Sequence, residues 1–194
     1  MLEYLQRLAW DPTAPVPAGW PHGWWGVLLL FCIPLGAGIP SGVLLGHGDG
    51  LGAPFIILLY VVSDVVLAAF FEPLLQVFGF MSRRIPALER AGALLIRAIT
   101  ATMPAGTLAG PTGVALTGFG AGLPFGRALA SAAGYALVSG WLLTIAGDML
   151  YFLMGMASTI WFQGVFGDPR MAAFAGLVVM LVVPLALRRF RPAG

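Results

Sequence analysis

The chain has 194 residues, 59% of them hydrophobic and 9% charged, with a formal net charge of +2 and a mean hydropathy of +0.93. A soluble domain carries roughly 25% charge, so there is too little polar surface to coat a water-soluble globule, and the composition predicts an all-α integral membrane protein. The sparse charge also excludes a nucleic-acid surface, which needs a dense basic stripe.

Leu2, Leu5, Leu8 and Ala9 fall on one side of a short helix, which reads as interfacial. Residues 12–23 hold four Pro and two Gly and form a loop. Trp20, Trp24 and Trp25 follow as a cluster; Trp favours the membrane interface, where its ring is buried and its N–H stays wet. Gly26 to Ile33 is apolar but gives only about 12 Å of helix, too short for a ~30 Å hydrocarbon core. Pro34, Gly36, Gly38 and Pro40 break it. Ser41 to Gly46 forms a second short arm, and His47-Gly48-Asp49-Gly50 turns. The stretch reads as a re-entrant hairpin or as a kinked spanning helix.

Pro54 to Phe80 is long enough to span, and it carries Asp64, Glu72 and Pro73. Met81 to Arg90 is a polar loop. Ala91 to Thr102 is apolar apart from Arg97, and a second break runs from Pro104 to Gly113, with Val114 to Gly118 as its return arm. Pro124 opens a helix expected to reach about Gly155, carrying Arg127 and Asp148. Residues 157–169 read as an interfacial loop, and Met171 to Leu187 as the last helix, followed by Arg188, Arg189 and Arg191. The sole cysteine, Cys32, permits no intrachain disulfide.

The two breaks are copies. Ile33-Pro34-Leu35-Gly36 matches Met103-Pro104-Ala105-Gly106, and Gly50-Leu51-Gly52-Ala53-Pro54-Phe55 matches Gly120-Ala121-Gly122-Leu123-Pro124-Phe125, both 70 residues on. Between them Pro40-Ser41-Gly42-Val43 matches Pro111-Thr112-Gly113-Val114, 71 residues on. Arg83, Arg84 and Arg90 lie in one loop and Arg188, Arg189 and Arg191 in the tail, and the positive-inside rule puts both in the cytoplasm. The hairpins then open to opposite faces, which makes an inverted-topology repeat. The whole chain, 1–194, is expected to be a single membrane domain, with repeats at about 24–80 and 91–156 and a last helix at about 171–187. The expected location is the bacterial inner membrane, multi-pass, with a cytoplasmic C-terminus.

No H-E-x-x-H, G-x-S-x-G, Walker or C-x-x-C sequence is present, so no catalytic residue, cofactor or metal is expected. The informative residues are the acids. An isolated acid at mid-depth costs ~2.5–3.5 kcal/mol on insertion scales, so it usually faces a cavity or a partner. Asp64 lies near mid-helix. Glu72 follows eight residues on, about 80° round the helix. Asp148 is expected near an outer end, and both it and Glu72 read either as site residues or as meeting water at the interface. Arg97 reads either as snorkelling to the cytoplasmic face or as a counter-ion to Asp64 or Glu72 or a clamp on an anion. Arg127, at a helix start, reads as an interface anchor. Unwound backbone in the two breaks, at Pro34, Gly36, Pro40, Ser41 and Gly42 and at Pro104, Gly106, Pro111, Thr112 and Gly113, would offer freed N–H and C=O groups to a shared cavity.

Met103-Pro104-Ala105-Gly106-Thr107, Thr112-Gly113 and Gly122 to Leu129, together with Gly38-Ile39-Pro40-Ser41-Gly42-Val43-Leu44-Leu45-Gly46, resemble the bacterial small multidrug export protein family. That family is similar to the DedA-like membrane proteins. The resemblance implies a fold of two oppositely oriented re-entrant hairpins, and it covers about residues 30–145. The acid and Arg that the family carries beside its first Ile-Pro-x-Gly have no counterpart from Leu35 to Gly38. The expected function is a proton- or ion-coupled transporter or exporter of a small molecule, not an enzyme. The alternatives are a DedA-like lipid carrier or scramblase and a non-transport scaffold. The expected partners are the bilayer and a small-molecule or lipid substrate, with a second copy as a further candidate; Gly-rich faces suit a homodimer as well as internal packing.

Overall fold

A computed structural model describes residues 21–33, 38–82, 84–85, 90, 92–94 and 110–189. These residues form helices and no strand. The helices with defined bounds are α1 (Gly23–Phe31), α2 (Gly38–Gly48), α3 (Ala53–Ser82), α4 (Pro111–Ala121), α5 (Leu123–Ala132), α6 (Leu137–Phe166) and α7 (Pro169–Arg189). At 30 residues each, α3 and α6 are long and apolar enough to cross a membrane. The described residues divide into two compact units. One takes the chain up to Ser63 and Tyr151–Val183; the other takes Asp64–Leu150 and the end of α7 from Pro184.

In the first unit α1 packs on α2 as a hairpin. Its base is tied by Asp49, just past α2, whose Oδ2 accepts the Gly23 N–H at 2.6 Å. A carboxylate at a helix N-terminus answers one of the orphan donors there and meets the positive end of the helix dipole. The far end of α2 closes on Gly50 (φ +75°). Leu51 N–H donates to Gly46 C=O at 2.8 Å and Gly50 N–H to His47 C=O at 3.1 Å, the paired bonds that let a left-handed glycine stop a helix. Arms of nine and eleven residues reach about 14 and 17 Å, so neither spans a bilayer. The hairpin packs through Gly42, where a Cβ would run into the Phe31 ring. Phe31 in turn meets Tyr60 and Phe152 edge-on, at 5.1 and 5.5 Å between centroids, and the last two stack at 3.9 Å. These three rings are buried and hold α1, α3 and α6 together in this unit. Met180 of α7 fits against Gly155 of α6.

In the second unit α4 packs on α5, joined through Gly122 alone (φ +87°). Gly147 of α6 lies on the backbone of Ala115, and Gly118 on that of Thr144. Both contacts exclude any side chain at the glycine.

Several expectations need correction. Pro40, Ser41 and Gly42 are helical, within α2, and Pro111, Thr112 and Gly113 begin α4. They are not unwound, because a proline in the first turn loses no helical hydrogen bond. Pro34, Gly36, Pro104, Gly106 and Arg97 lie outside the described residues, as do Trp20 and the N-terminal segment. The single helix expected from Pro124 to Gly155 is two helices. Gly134 (φ +83°) ends α5, with Tyr135 N–H donating to Ala130 C=O at 2.9 Å. The loop expected at 157–169 is helix as far as Phe166, where Phe162 and Phe166 stack at 5.6 Å. Two residues then suffice to turn: Gly167 takes φ +68°, and Asp168 Oδ1 caps α7 by accepting the Arg170 N–H at 2.8 Å.

Candidate functional site

Moving the start of α6 from Pro124 to Leu137 changes the standing of Asp148. It is the twelfth residue of α6, counting from Leu137, and Asp64 is the twelfth of α3, counting from Ala53. Neither acid lies at a helix end. Asp64 is 1% exposed and Asp148 6%, so protein buries both. Both belong to the second unit, and the charge of Asp148 acts directly on Asp64. Neither oxygen of the Asp64 carboxylate has a hydrogen-bond partner, although both are buried. The hydroxyls next along the chain are committed to their own helices: Ser63, beside Asp64, donates to Tyr60 C=O at 2.7 Å, and Thr144, one turn before Asp148, to Gly140 C=O at 2.9 Å. An unanswered buried carboxyl is costly, and it stays in a fold only where something else requires it.

A second polar cluster lies two turns along α3. Glu72 and Arg127 form an ion pair with Nε–Oε2 at 3.0 Å and Nη2–Oε1 at 3.4 Å. Trp141 Nε1–H donates to the same Oε2 at 2.8 Å, and Gln76 Nε2–H to Oε1 at 3.1 Å. Arg127 Nη1–H donates to Ser131 Oγ. The side chains of Arg127 and Glu72 are 8% and 16% exposed. One carboxylate thus joins α3, α5 and α6. The Glu72–Trp141 bond lies eight residues forward of Asp64 on α3 and seven back from Asp148 on α6, so the two helices run antiparallel through this unit. Beside Glu72 is a groove of about 510 Å³, lined by Glu72, Gln76, Trp141 and apolar side chains of α3 and α6.

Sequence reasoning named Asp64, Glu72 and Asp148, and the structure brings Asp64 and Asp148 together. It pairs Glu72 with Arg127, which is buried. Gln76, Ser131 and Trp141 were missed. Gln76 was legible as a polar residue one turn after Glu72, on the same face. Trp141 was legible as an indole with a donor in an apolar run, which needs an acceptor when buried. The partnership of residues 72, 127 and 141 depends on the turn at Gly134 and has no local signature.

No protein-family model, curated protein or solved structure matches the chain.

Proposed function

We propose that this chain is a multi-pass protein of the bacterial inner membrane that exports a small molecule by secondary, proton- or ion-coupled transport. Its C-terminus lies in the cytoplasm, and two opposed re-entrant hairpins serve as its gates. One observation carries the reading: Asp64, deep in an apolar helix, buries both carboxylate oxygens without a hydrogen-bond partner and lies within reach of the charge of a second buried acid, Asp148. A buried carboxyl that no donor answers, beside a second acid, is a place where a transported proton or cation can rest and leave. Supporting it, α3 exposes Leu58, Val62, Val66, Phe70 and Val77 along its length. That much apolar surface suits hydrocarbon and would be an aggregation liability in water. The likeness to the small multidrug export family favours export over the other membrane roles.

The test is flux in proteoliposomes under an imposed pH gradient, with ethidium as the cationic probe and 8-anilinonaphthalene-1-sulfonate as the anionic one. Wild type should move at least one probe in proportion to the gradient, and Asp64→Asn should cut that flux more than tenfold. Flux of neither probe, or an Asp64→Asn variant as active as wild type, would end this reading. Lipid movement without a gradient would favour the lipid carrier.

A further inference from the structure

Four N–H groups of this protein converge on a single carboxylate. They are Arg127 Nε–H and Nη2–H, Trp141 Nε1–H and Gln76 Nε2–H, at 3.0, 3.4, 2.8 and 3.1 Å from the oxygens of Glu72. A planar guanidinium fork flanked by an indole N–H is a receptor for a carboxylate. Here it is filled from within, by a residue of α3. Arg127 is buried and held on its far side by Ser131, so the fork keeps its aim whether or not Glu72 occupies it. Glu72 also lines the adjoining groove, whose walls include Ala68, Ala69, Pro73, Val138 and Leu142. The receptor therefore opens onto an apolar trough wherever the Glu72 side chain gives way.

The geometry points to a binding site for a hydrophobic carboxylate, a small amphipathic anion whose head takes the place of Glu72 on Arg127 and Trp141 while its alkyl body lies in the groove. Glu72 is the resident competitor. Two features select the anion. The cluster's buried cation loses its counter-charge when Glu72 leaves, and a carboxylate restores it. A cationic amphiphile would meet Arg127 across the same space and be repelled. The site is separate from the Asp64–Asp148 pair, and binding is measured without any flux, so the transport reading can fail while this one stands, and the reverse.

Equilibrium dialysis of radiolabelled octanoate against the purified full-length chain in detergent, with a micelle blank, tests it. Glu72→Ala should bind octanoate at least tenfold more tightly than wild type, and adding Arg127→Gln should abolish the gain. Octylammonium and octan-1-ol should show no such gain. Octanoate should also raise the melting temperature of Glu72→Ala by several degrees and leave wild type almost unmoved. Glu72→Ser, which leaves a hydroxyl for Gln76 and Trp141 to meet, repeats the measurement if the alanine variant does not purify. The proposal is overturned if neither small variant binds octanoate better than wild type, if octan-1-ol gains equally, or if the Arg127→Gln double variant keeps the gain.

Discussion

Asp64 and Glu72 sit two turns apart on one helix and illustrate opposite ways of holding an acid out of water. Glu72 is answered on both oxygens, so removing its partner should be severe. Breaking a buried pair from one side typically costs ~3–5 kcal/mol because a charge is left uncompensated. Arg127→Ala should therefore lower thermal stability in detergent by about that amount, and Trp141→Phe, which deletes one donor, by about 1–2 kcal/mol. Asp64 has nothing to lose. Asp64→Asn should leave the melting temperature within a degree or two of wild type while flux disappears, a separation that a purely structural acid would not give. At this scale the sequence was a fair guide to which residues matter and a poor guide to whom they meet. An acid in an apolar run announces itself through its cost. Its partner is 55 residues away for Glu72 and Arg127, and only the tertiary fold joins them.

Among the elements, the legible ones were those with proline or long apolar runs. The α1–α2 hairpin and α3 fall close to where composition and punctuation put them. One error came from glycine acting without proline. Ala133-Gly134-Tyr135 looks like continuing helix, yet Gly134 takes a left-handed conformation and the paired capping bonds follow. Conversely, Trp161, Phe162 and Gln163, with Gly167, Asp168 and Pro169 after them, read as an interfacial loop, but the helix runs to Phe166, and Ser158 bonds back to the Gly155 carbonyl at 3.0 Å, which lets a hydroxyl sit inside a helix. Two substitutions separate space from conformation. Gly42→Ala places a methyl against the Phe31 ring and should cost about 1–3 kcal/mol through overpacking of the three-ring cluster. Gly134→Ala meets open space and should cost only about 1 kcal/mol, from its positive φ alone. Denaturation in sodium dodecyl sulfate, read by circular dichroism, ranks the two. Equal losses would mean that the Phe31 contact is softer than the packing implies.

For the molecule as a whole, the repeat found in the sequence sets a starting point for helices in both copies. α3 begins at Ala53 and α5 at Leu123, the same 70-residue interval that separates the motifs. The copies then diverge, because α3 continues for 30 residues while α5 stops after ten. The difference lies at Gly134, whose left-handed conformation ends α5, whereas α3 has no glycine before Gly79. The proposed inverted arrangement makes a topological prediction. In a Cys32→Ser background, cysteines at His47 and Asp168 should react with an impermeant maleimide from the periplasmic side of whole cells. Cysteines at Arg84 and Ser139 should react only after the cytoplasmic face is opened. Labelling of His47 and Ser139 positions from one side would remove the opposed hairpins. The matched placement of the two acids bears on energetics in another way. Each lies eleven residues, about 17 Å of helix, from the N-terminal end of its own helix, and in their unit those helices run in opposite directions. A charge reaching the pair from either face would then have crossed a comparable share of any transmembrane voltage. Loading and release should respond equally to potential, so inverting the voltage should invert the current without rectification, leaving the gradients to choose the direction of travel.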